Sequence, residues 1–455
     1  MEQEADAIVV GAGVAGLSAA TALAEAGLRV VVLEARQRGG GRAASFVDPT
    51  TGERLDNGQH VLFGCYYETF AFLRRIGSEH RVALQRALAV DIADRDGRLS
   101  RLACPSLPNP LGLLIGVLRW PGLPLMDRLT ALRMGPALRA LARDNGGASA
   151  YPRAEETVRQ WLTRLGQAPR LIELLWEPLA VAALNEQVDV ATAQSFGRVL
   201  AGLFGPGPRD AAMALPTVPL DDLYVRPAVA YLEARQGAVI RASPATITFR
   251  DGRVETVDSG ERSWRAPRAV ICAVPWHALG TTLVNPPDEL ARVVDDGRGT
   301  PGAAIVTAYL WLEGSYEGPS VLGLPGRAFQ WAFDVGELLG DGRTCVSLVA
   351  SAADWLVSLS NEELTLRACQ DLQSAIPSLR GRVLRHATVI RERRATFSVA
   401  PGRPERPAGP TRISGFALAG DWIATALPAT IESAAVSGHR AAASMLAFRQ
   451  PRVAQ

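Results

Sequence analysis

The chain of 455 residues contains no lysine, so all 48 of its basic residues are arginines. Without a lysine amine the protein can form neither a Schiff base nor a pyridoxal adduct, and it lacks the lysine with which P-loops bind phosphate. It also lacks an excess of charge, because 48 basic residues face 46 acidic ones and give a net charge of +2. The arginines are scattered and no aromatic residues alternate with them, so we expect no nucleic acid among the partners.

Cysteine is scarce, and the five cysteines lie far apart without a C-x-x-C pair. This spacing is typical of reduced thiols in a cytosolic protein, and we predict no metal site. The chain begins Met-Glu-Gln-Glu, which is acidic where a secretory signal would be basic, so we expect a cytoplasmic location. Apolar residues make up 48% and charged residues 21%, and the length predicts two or three globular domains.

The first residues follow the order of a dinucleotide-binding fold. Residues 7–10 form a short apolar run that predicts a buried strand, and residues 11–16 read G-A-G-V-A-G. An alanine- and leucine-rich stretch at 17–26 predicts a helix, and residues 28–33 predict a second strand that ends at Glu34. The order of strand, glycine turn, helix, strand and acid predicts a dinucleotide site.

Each glycine of this fingerprint has a distinct expected role. Gly11 makes the tight turn, Gly13 lets the backbone approach a pyrophosphate, and Gly16 lets helix and strand pack closely. Glu34 is placed to bind the ribose hydroxyls of the adenosine. The residues that we predict to contact the cofactor here are Gly11, Ala12, Gly13, Ala15, Gly16, Glu34, Ala35 and Arg36.

A second glycine cluster follows the acid: residues 36–42 read R-Q-R-G-G-G-R. This stretch resembles the R-x-x-x-G-G-R motif of flavoproteins of the amine oxidase and carotenoid desaturase superfamily. The resemblance implies that the dinucleotide is FAD and adds Gly41 and Arg42 to its predicted contacts. It also implies that an adenine-side backbone contact falls near Thr246.

Near the C-terminus, residues 416–422 read as a buried strand that ends in Gly420-Asp421, and Pro428 begins a helix. This arrangement resembles the closing motif of the same superfamily. The resemblance implies that Asp421 and the backbone of Ala429 and Thr430 contact the cofactor. A helix N-terminus is suited to this place because it stabilises the negative charge of a reduced flavin.

These motifs predict an α/β fold with a Rossmann-type FAD-binding domain and an inserted α+β substrate domain. The predicted FAD-binding domain is discontinuous and comprises residues 1–95, 215–285 and 405–455. Between its pieces, the stretch from about 100 to 214 has a helical pattern, and the stretch from 286 to 400 mixes strand-like runs with a helix. Residues 96–214 and 286–404 therefore form the predicted substrate-binding domain.

Residues 56–66 read D-N-G-Q-H-V-L-F-G-C-Y. By the order of motifs in the superfamily, this segment follows the glycine–arginine loop and passes close to the flavin, which implies contacts from Gly58, Gln59 and His60. An imidazole changes its charge near neutral pH, so His60 is also a candidate proton donor. Tyr66 is a second catalytic candidate.

Residues 56–66, 175–185 and 418–438 together resemble the hydroxysqualene dehydroxylase family. The resemblance spans essentially the whole chain and implies the reductive removal of the allylic hydroxyl of hydroxysqualene to give squalene, in hopanoid biosynthesis. It implies a long-chain isoprenoid substrate and an external electron donor that the sequence does not identify. Aromatic faces could stabilise an allylic cation, and Trp176 joins His60 and Tyr66 as a catalytic candidate, with Trp276 and Trp422 as further aromatic neighbours.

Three other functions remain open at this point. A carotenoid- or phytoene-type desaturase would run hydride transfer in the opposite direction on the same fold. A flavin amine oxidase is disfavoured, because that family generally places a lysine near flavin N5. A lipid-carrying flavoprotein without catalysis is the third.

Residues 111–125 are apolar but too short to span a bilayer. They could dip into one leaflet or form an ordinary core helix. We therefore hypothesise peripheral contact with the inner face of the membrane.

Overall fold

The computed structural model describes residues 5–144, 146–265, 267–340, 342 and 344–447. At its centre lies a five-stranded parallel sheet, which confirms the predicted α/β class. In spatial order its strands are Ala238–Ile240, Val30–Leu33, Ala7–Val10, Ala269–Cys272 and Phe416–Leu418. Four of the five strands are buried along their whole length, because both faces of the sheet are covered.

One face of the parallel sheet is covered by helices Val14–Glu25 and Ile431–Ala447, which pack against each other in one apolar core. The other face packs on a four-stranded sheet of order Arg262–Arg265, Arg253–Ser259, Thr246–Arg250 and Leu283–Val284. The first helix begins at Val14, three residues before the predicted start, since the fingerprint itself forms its first turn. Residues 1–4 and 448–455, which the predicted domain includes, lie outside the described residues.

A seven-stranded sheet forms the second large layer. In spatial order its strands are Leu384–Phe397, Gly302–Leu312, Cys345–Ala350, Trp331–Asp334, Val321–Gly323, Ala89–Ala93 and Leu99–Ala103. Helix Asn361–Ala375 packs on this sheet, and Ser360 and Glu363 close its N-terminus as a capping box. The predicted domain boundary at residue 95 falls in the hairpin that joins the last two of these strands, and the division into domains stays a prediction.

A helical unit covers one end of this sheet and has its own apolar core. Its helices are Leu111–Arg119, Leu125–Thr130, Gly135–Ala142, Val158–Arg164, Pro169–Leu171, Glu177–Leu184 and Ala193–Leu203. A π-helical segment, Ile172–Trp176, joins the fifth of these helices to the sixth without a break. The sixth ends at Asn185, whose backbone is left-handed with φ of 49°.

The remaining elements connect these layers. Two short sheets pair Ser45–Val47 with Arg54–Asp56, and Met213–Pro216 with Leu62–Phe63 and Val82–Leu84. The other α-helices are Tyr67–Arg75, Arg226–Glu233, Leu279–Thr282, Asp288–Gly299 and Val335–Leu339; the π-helical segment Asp221–Val225 and the 3-10 turns Glu79–Arg81, Ala131–Met134, Trp276–Ala278 and Pro377–Leu379 complete the structure. Within the described ranges, every helix is too short or too polar to cross a membrane.

Candidate functional site

The fingerprint forms the turn that the sequence predicts. Gly11 has φ of +108°, and a Cβ added to Gly16 would stand 1.9 Å from the carbonyl oxygen of Gly11. A Cβ on Gly13 would meet no atom within 4 Å, so the backbone there borders open space. Gly13 precedes helix Val14–Glu25 without a side-chain cap, and the first amides of that helix are therefore available to an anion such as a pyrophosphate.

Glu34 turns its carboxylate back toward the fingerprint. Its two oxygens accept hydrogen bonds from the amides of Ala12 at 2.8 Å and Arg36 at 2.9 Å, and the residue is buried. Each carboxylate oxygen has a second acceptor position, so these bonds leave room for a ribose hydroxyl. The amide of Ser243 bonds to the Glu34 carbonyl, whereas Thr246 begins a strand of the four-stranded sheet. The predicted contact of Thr246 with the cofactor stays a prediction.

The second glycine cluster lies directly against the first. The amide of Gly40 donates to the carbonyl of Ala12 at 2.8 Å, and Gly40 forms a parallel bridge with Gly13. A Cβ on Gly41 would stand 3.4 Å from the Cα of Gly13, in ordinary contact, but its φ of +62° favours glycine. The two glycine segments therefore border one opening.

Arg42 connects three distant parts of the chain. Its guanidinium donates to Asp421 Oδ1 at 2.5 Å and to the carbonyl oxygen of Ala395 at 2.5 Å. Burial opposes its charge, but Asp421 and Glu392 outweigh burial and raise the pKa of Arg42. The pair joins the glycine loop to the predicted C-terminal motif and to the end of strand Leu384–Phe397.

The segment that follows Asp56 lies between this loop and the seven-stranded sheet. The side-chain amide of Asn57 donates to the carbonyl of Arg42 at 3.3 Å and to Glu392 at 3.2 Å. Tyr309, on the sheet, donates to the carbonyl of Asp56 at 3.0 Å. A Cβ on Gly58 would come within 3.3 Å of Thr307. Asn57 therefore holds this segment against Arg42, and the cofactor contacts of Gly58 and Gln59 stay a prediction.

His60 is held in one tautomer. Its Nδ1 lies 2.8 Å from the carbonyl oxygen of Gly58, which can only accept, so Nδ1 carries a proton and donates. Burial and the charge of Arg42 lower the pKa of His60 despite this bond. Nε2 is thus the nitrogen that gains a proton as the pH falls.

The turn before helix Ile431–Ala447 brings the C-terminal motif together. Asp421 is buried, and its carbonyl accepts a hydrogen bond from Ser433 at 2.9 Å. The hydroxyl of Tyr66 interacts with the side chain of Thr430. Burial, together with the thiol of Cys65, raises the pKa of Tyr66, so its phenol stays protonated. The flavin-side contacts of Ala429 and Thr430 stay a prediction.

Glu432, in the first turn of the same helix, was not predicted from the sequence. Its buried carboxylate accepts from the amides of Glu68 and Thr69 at 2.9 Å each, and from the Thr69 hydroxyl at 2.7 Å. Those amides belong to the first turn of helix Tyr67–Arg75, where negative charge is favourable. Glu432 thereby fixes the start of one helix against the start of the other.

The aromatic candidates have packing roles in the structure. Trp176 is buried in the core of the helical unit and donates its indole N–H to Gln167 at 2.9 Å. The indoles of Trp276 and Trp422 donate to backbone carbonyls of Thr300 and Val274. A catalytic role for Trp176 stays a prediction.

Two further residues beside Arg42 escaped the sequence analysis. His277 follows strand Ala269–Cys272, and burial together with the charges of Arg394 and Arg42 lowers its pKa. Glu392 bonds Asn57. Both residues are far from the motifs in sequence, and no local pattern marks them.

A family model described as flavin containing amine oxidoreductase matches residues 14–204 and 218–446. The chain belongs to this family. Its members contain a flavin. Three features of this structure fit a flavin cofactor, namely the glycine turn, the Arg42–Asp421 pair and the open space at Gly13. The chain is therefore an FAD-dependent oxidoreductase, as predicted.

Within the family, the chain is similar to hydroxysqualene dehydroxylase from Rhodopseudomonas palustris, with 30% identity over 96% of this chain and 98% of that protein. A 15-cis-phytoene desaturase from Narcissus pseudonarcissus is 25% identical over 98% of this chain and 80% of that protein. Among solved structures, cyclohexylamine oxidase from Brevibacterium oxydans has a TM-score of 0.68 at 17% identity and covers 97% of this chain and 99% of that one. This last likeness shows the fold alone.

Proposed function

We propose that this flavoprotein reductively removes the allylic hydroxyl of hydroxysqualene and releases squalene and water. The observation that carries the proposal is the 30% identity to a hydroxysqualene dehydroxylase over 96% of the chain. The desaturase relative is more distant at 25%, which disfavours a carotenoid-type desaturation. An amine oxidase is disfavoured by the absence of lysine.

The reaction breaks one C–O bond and forms one C–H bond, so it consumes two electrons and two protons for each water released. Bound in its reduced form, FAD supplies the two electrons as a hydride. Gly11–Gly16, Glu34 and Arg42 would hold the dinucleotide half, and Thr430 with the start of helix Ile431–Ala447 would face the flavin ring. The electron donor that renews the reduced state is external.

His60 is the residue that we assign to protonate the leaving hydroxyl. Its Nδ1 is fixed on Gly58, so the protonated ring would donate from Nε2. The lowered pKa makes the imidazolium a stronger acid than a free histidine, although less of it is present at neutral pH. Tyr66, with its phenol kept protonated, would orient the hydroxyl beside Thr430 and help to exclude water from the reacting carbon.

A single-turnover experiment tests the proposal. The purified holoprotein is reduced without oxygen, hydroxysqualene is added, flavin reoxidation is followed by absorbance, and the product is identified by mass spectrometry. We expect stoichiometric reoxidation and squalene. Absence of reoxidation in a protein that binds FAD would refute dehydroxylation, and oxidised flavin with phytoene would then test the desaturase.

The substrate is a lipid, so we also propose that the chain works at the cytoplasmic face of the membrane in peripheral contact with it. Within the apolar segment at 111–125, Leu113, Val117, Trp120 and Leu123 form part of the core, and the exposed Leu111 and Leu125 at its two ends support this contact.

A further inference from the structure

A short helix and turn on the surface of the helical unit present their apolar side outward. Helix Leu125–Thr130 has no buried residue, and the turn Ala131–Met134 continues from it. Among the described residues, four exposed apolar side chains lie here within eight positions; their exposed fractions are 63% for Leu125, 72% for Met126, 41% for Leu129 and 48% for Leu132. We name this set the outer ridge.

On the inward side, Ala131 and Met134 of the turn are buried in the core, and the helix itself makes polar contacts. The side chain of Arg128 bonds the carbonyls of Leu123 and Leu118 and so ties the helix to the end of Leu111–Arg119. The hydroxyl of Thr130 accepts from the amide of Ala168 at 3.1 Å, and its carbonyl accepts from Gln167 at 2.9 Å. These bonds fix the orientation, so the outer ridge cannot turn inward without breaking them.

Nothing in ordinary folding explains an element of this kind, because a surface helix normally buries its apolar side. Leu111, at the start of the helix that packs beside this element, and Leu107 before it are also exposed, at 54% and 38%. Clusters of exposed large apolar residues mark interaction sites, whereas single ones do not.

The charges beside the outer ridge identify the partner. Arg119, Arg133, Arg139 and Arg143 are exposed within the same stretch of chain, and the acidic residues there are Asp127 and Asp144. An apolar ridge with arginines beside it matches a bilayer, where the side chains enter the acyl boundary and the guanidinium groups remain at anionic phosphates.

We propose that the outer ridge is a membrane anchor and that it binds surfaces containing anionic phospholipid. The inference deepens the proposed function, since it names the residues of the membrane contact. It rests on that function in one respect, because a lipid substrate gives the protein a reason to bind a membrane. The ridge stands over the core of the helical unit, so docking would bring that unit to the lipid surface.

Vesicle binding by the full-length holoprotein tests the anchor. Sedimentation uses vesicles of phosphatidylcholine with 30 mol% phosphatidylglycerol, and the variant carries Leu125→Ser, Met126→Ser and Leu129→Ser. We expect the partition coefficient to fall roughly 100-fold in the variant, and the binding of the unchanged protein to weaken in high salt. The matched control carries Leu366→Ser and Val383→Ser, which remove side chains of similar exposure, 60% and 55%, elsewhere.

Two results would overturn the anchor: equal vesicle binding by the ridge variant, or ridge-dependent dimers without vesicles, which would make a second copy of the chain the occupant. Turnover of hydroxysqualene in detergent micelles separates this test from that of the proposed function. We expect the ridge variant to retain it. Loss of vesicle binding with retained micellar turnover supports the anchor, whereas absent turnover in the unchanged protein counts against dehydroxylation alone.

Discussion

The cofactor turn can form because residue 16 is a glycine and therefore has no Cβ. Gly16→Ala would place a Cβ 1.9 Å from the carbonyl oxygen of Gly11, so the helix must move away from the turn. We expect purified Gly16→Ala protein to contain little or no FAD, as measured by absorbance after release of the flavin, and to unfold at a lower temperature.

Gly299→Ala is the matched control for this substitution. A Cβ at Gly299 meets no atom within 4 Å, and the residue ends a helix in which alanine is the better former. Normal flavin content in both variants would contradict the assigned role of Gly16.

His60 sets the expected pH dependence of the reaction. Its pKa is lowered, so a step that needs the imidazolium should accelerate as the pH falls through a value below about 6.5 and slow as the pH rises. His60→Gln cannot take up this proton, and we expect single-turnover flavin reoxidation to slow about 100-fold or more and to lose its pH dependence.

The control for His60 is His80→Gln, an exposed histidine on another part of the surface. It should leave both the rate and the pH profile unchanged. Measured flavin content distinguishes a lost proton donor from lost cofactor in the His60 variant. An unaltered pH profile in His60→Gln would mean that another group protonates the leaving hydroxyl.

Between elements, Asn185 joins the helical unit to the seven-stranded sheet. Its side-chain amide donates to the carbonyl of Ala303 at 3.1 Å and to Thr396 at 3.0 Å, and its oxygen accepts from the amide of Ala352 at 2.6 Å. Asn185 is 2% exposed, so removing the side chain leaves these groups unpaired in the interior. These three hydrogen bonds and the left-handed backbone explain why asparagine occupies position 185.

We expect Asn185→Ala to lower the free energy of unfolding in urea by about 3–5 kcal/mol, through lost hydrogen bonds and a left-handed backbone. Asn185→Gly accepts the φ of 49° and should recover about 1 kcal/mol of this loss. Equal stability of the alanine variant and the unchanged protein would show that the junction is held elsewhere.

The sequence predicted those elements whose information is local. The predicted strand at 7–10 was correct, since a short apolar run followed by turn residues fixes it. The partner of Arg42 at Ala395 lies 353 residues away, and no local pattern encodes it. The catalytic role of Trp176 stays a prediction, and the sequence alone does not indicate that its indole lies in the core of the helical unit.

In the molecule as a whole, the candidate cofactor site draws on both ends of the chain. Residues from the fingerprint, the glycine–arginine loop, the 57–60 segment and the C-terminal motif surround it, so its ligand should hold these parts together. Removal of FAD should lower the melting temperature, and FAD at 100 times its Kd should restore about 2.7 kcal/mol of stability. The melting temperature should therefore rise with the logarithm of added FAD.

FMN is the matched ligand for this experiment because it lacks the adenosine half. It cannot engage both the Glu34 side and the Thr430 side of the site, and we expect a much smaller rise in melting temperature. An equal rise with FMN would mean that the fingerprint contributes nothing to the stability of the complex.

The π-helical segment Ile172–Trp176 affects the direction in which the side chains of the following helix point. An α-helix turns by about 100° per residue, and a π-helical turn accommodates one residue more than an α-helical turn does. Deleting a single residue there would make that turn α-helical and leave Glu177–Leu184 in nearly the same phase, so Asn185 would still face the sheet, whereas a deletion in the regular helix after it would rotate the following residues by about that angle. A one-residue deletion within Ile172–Trp176 should therefore be tolerated better than one within Glu177–Leu184, because only the second would misdirect every side chain that follows.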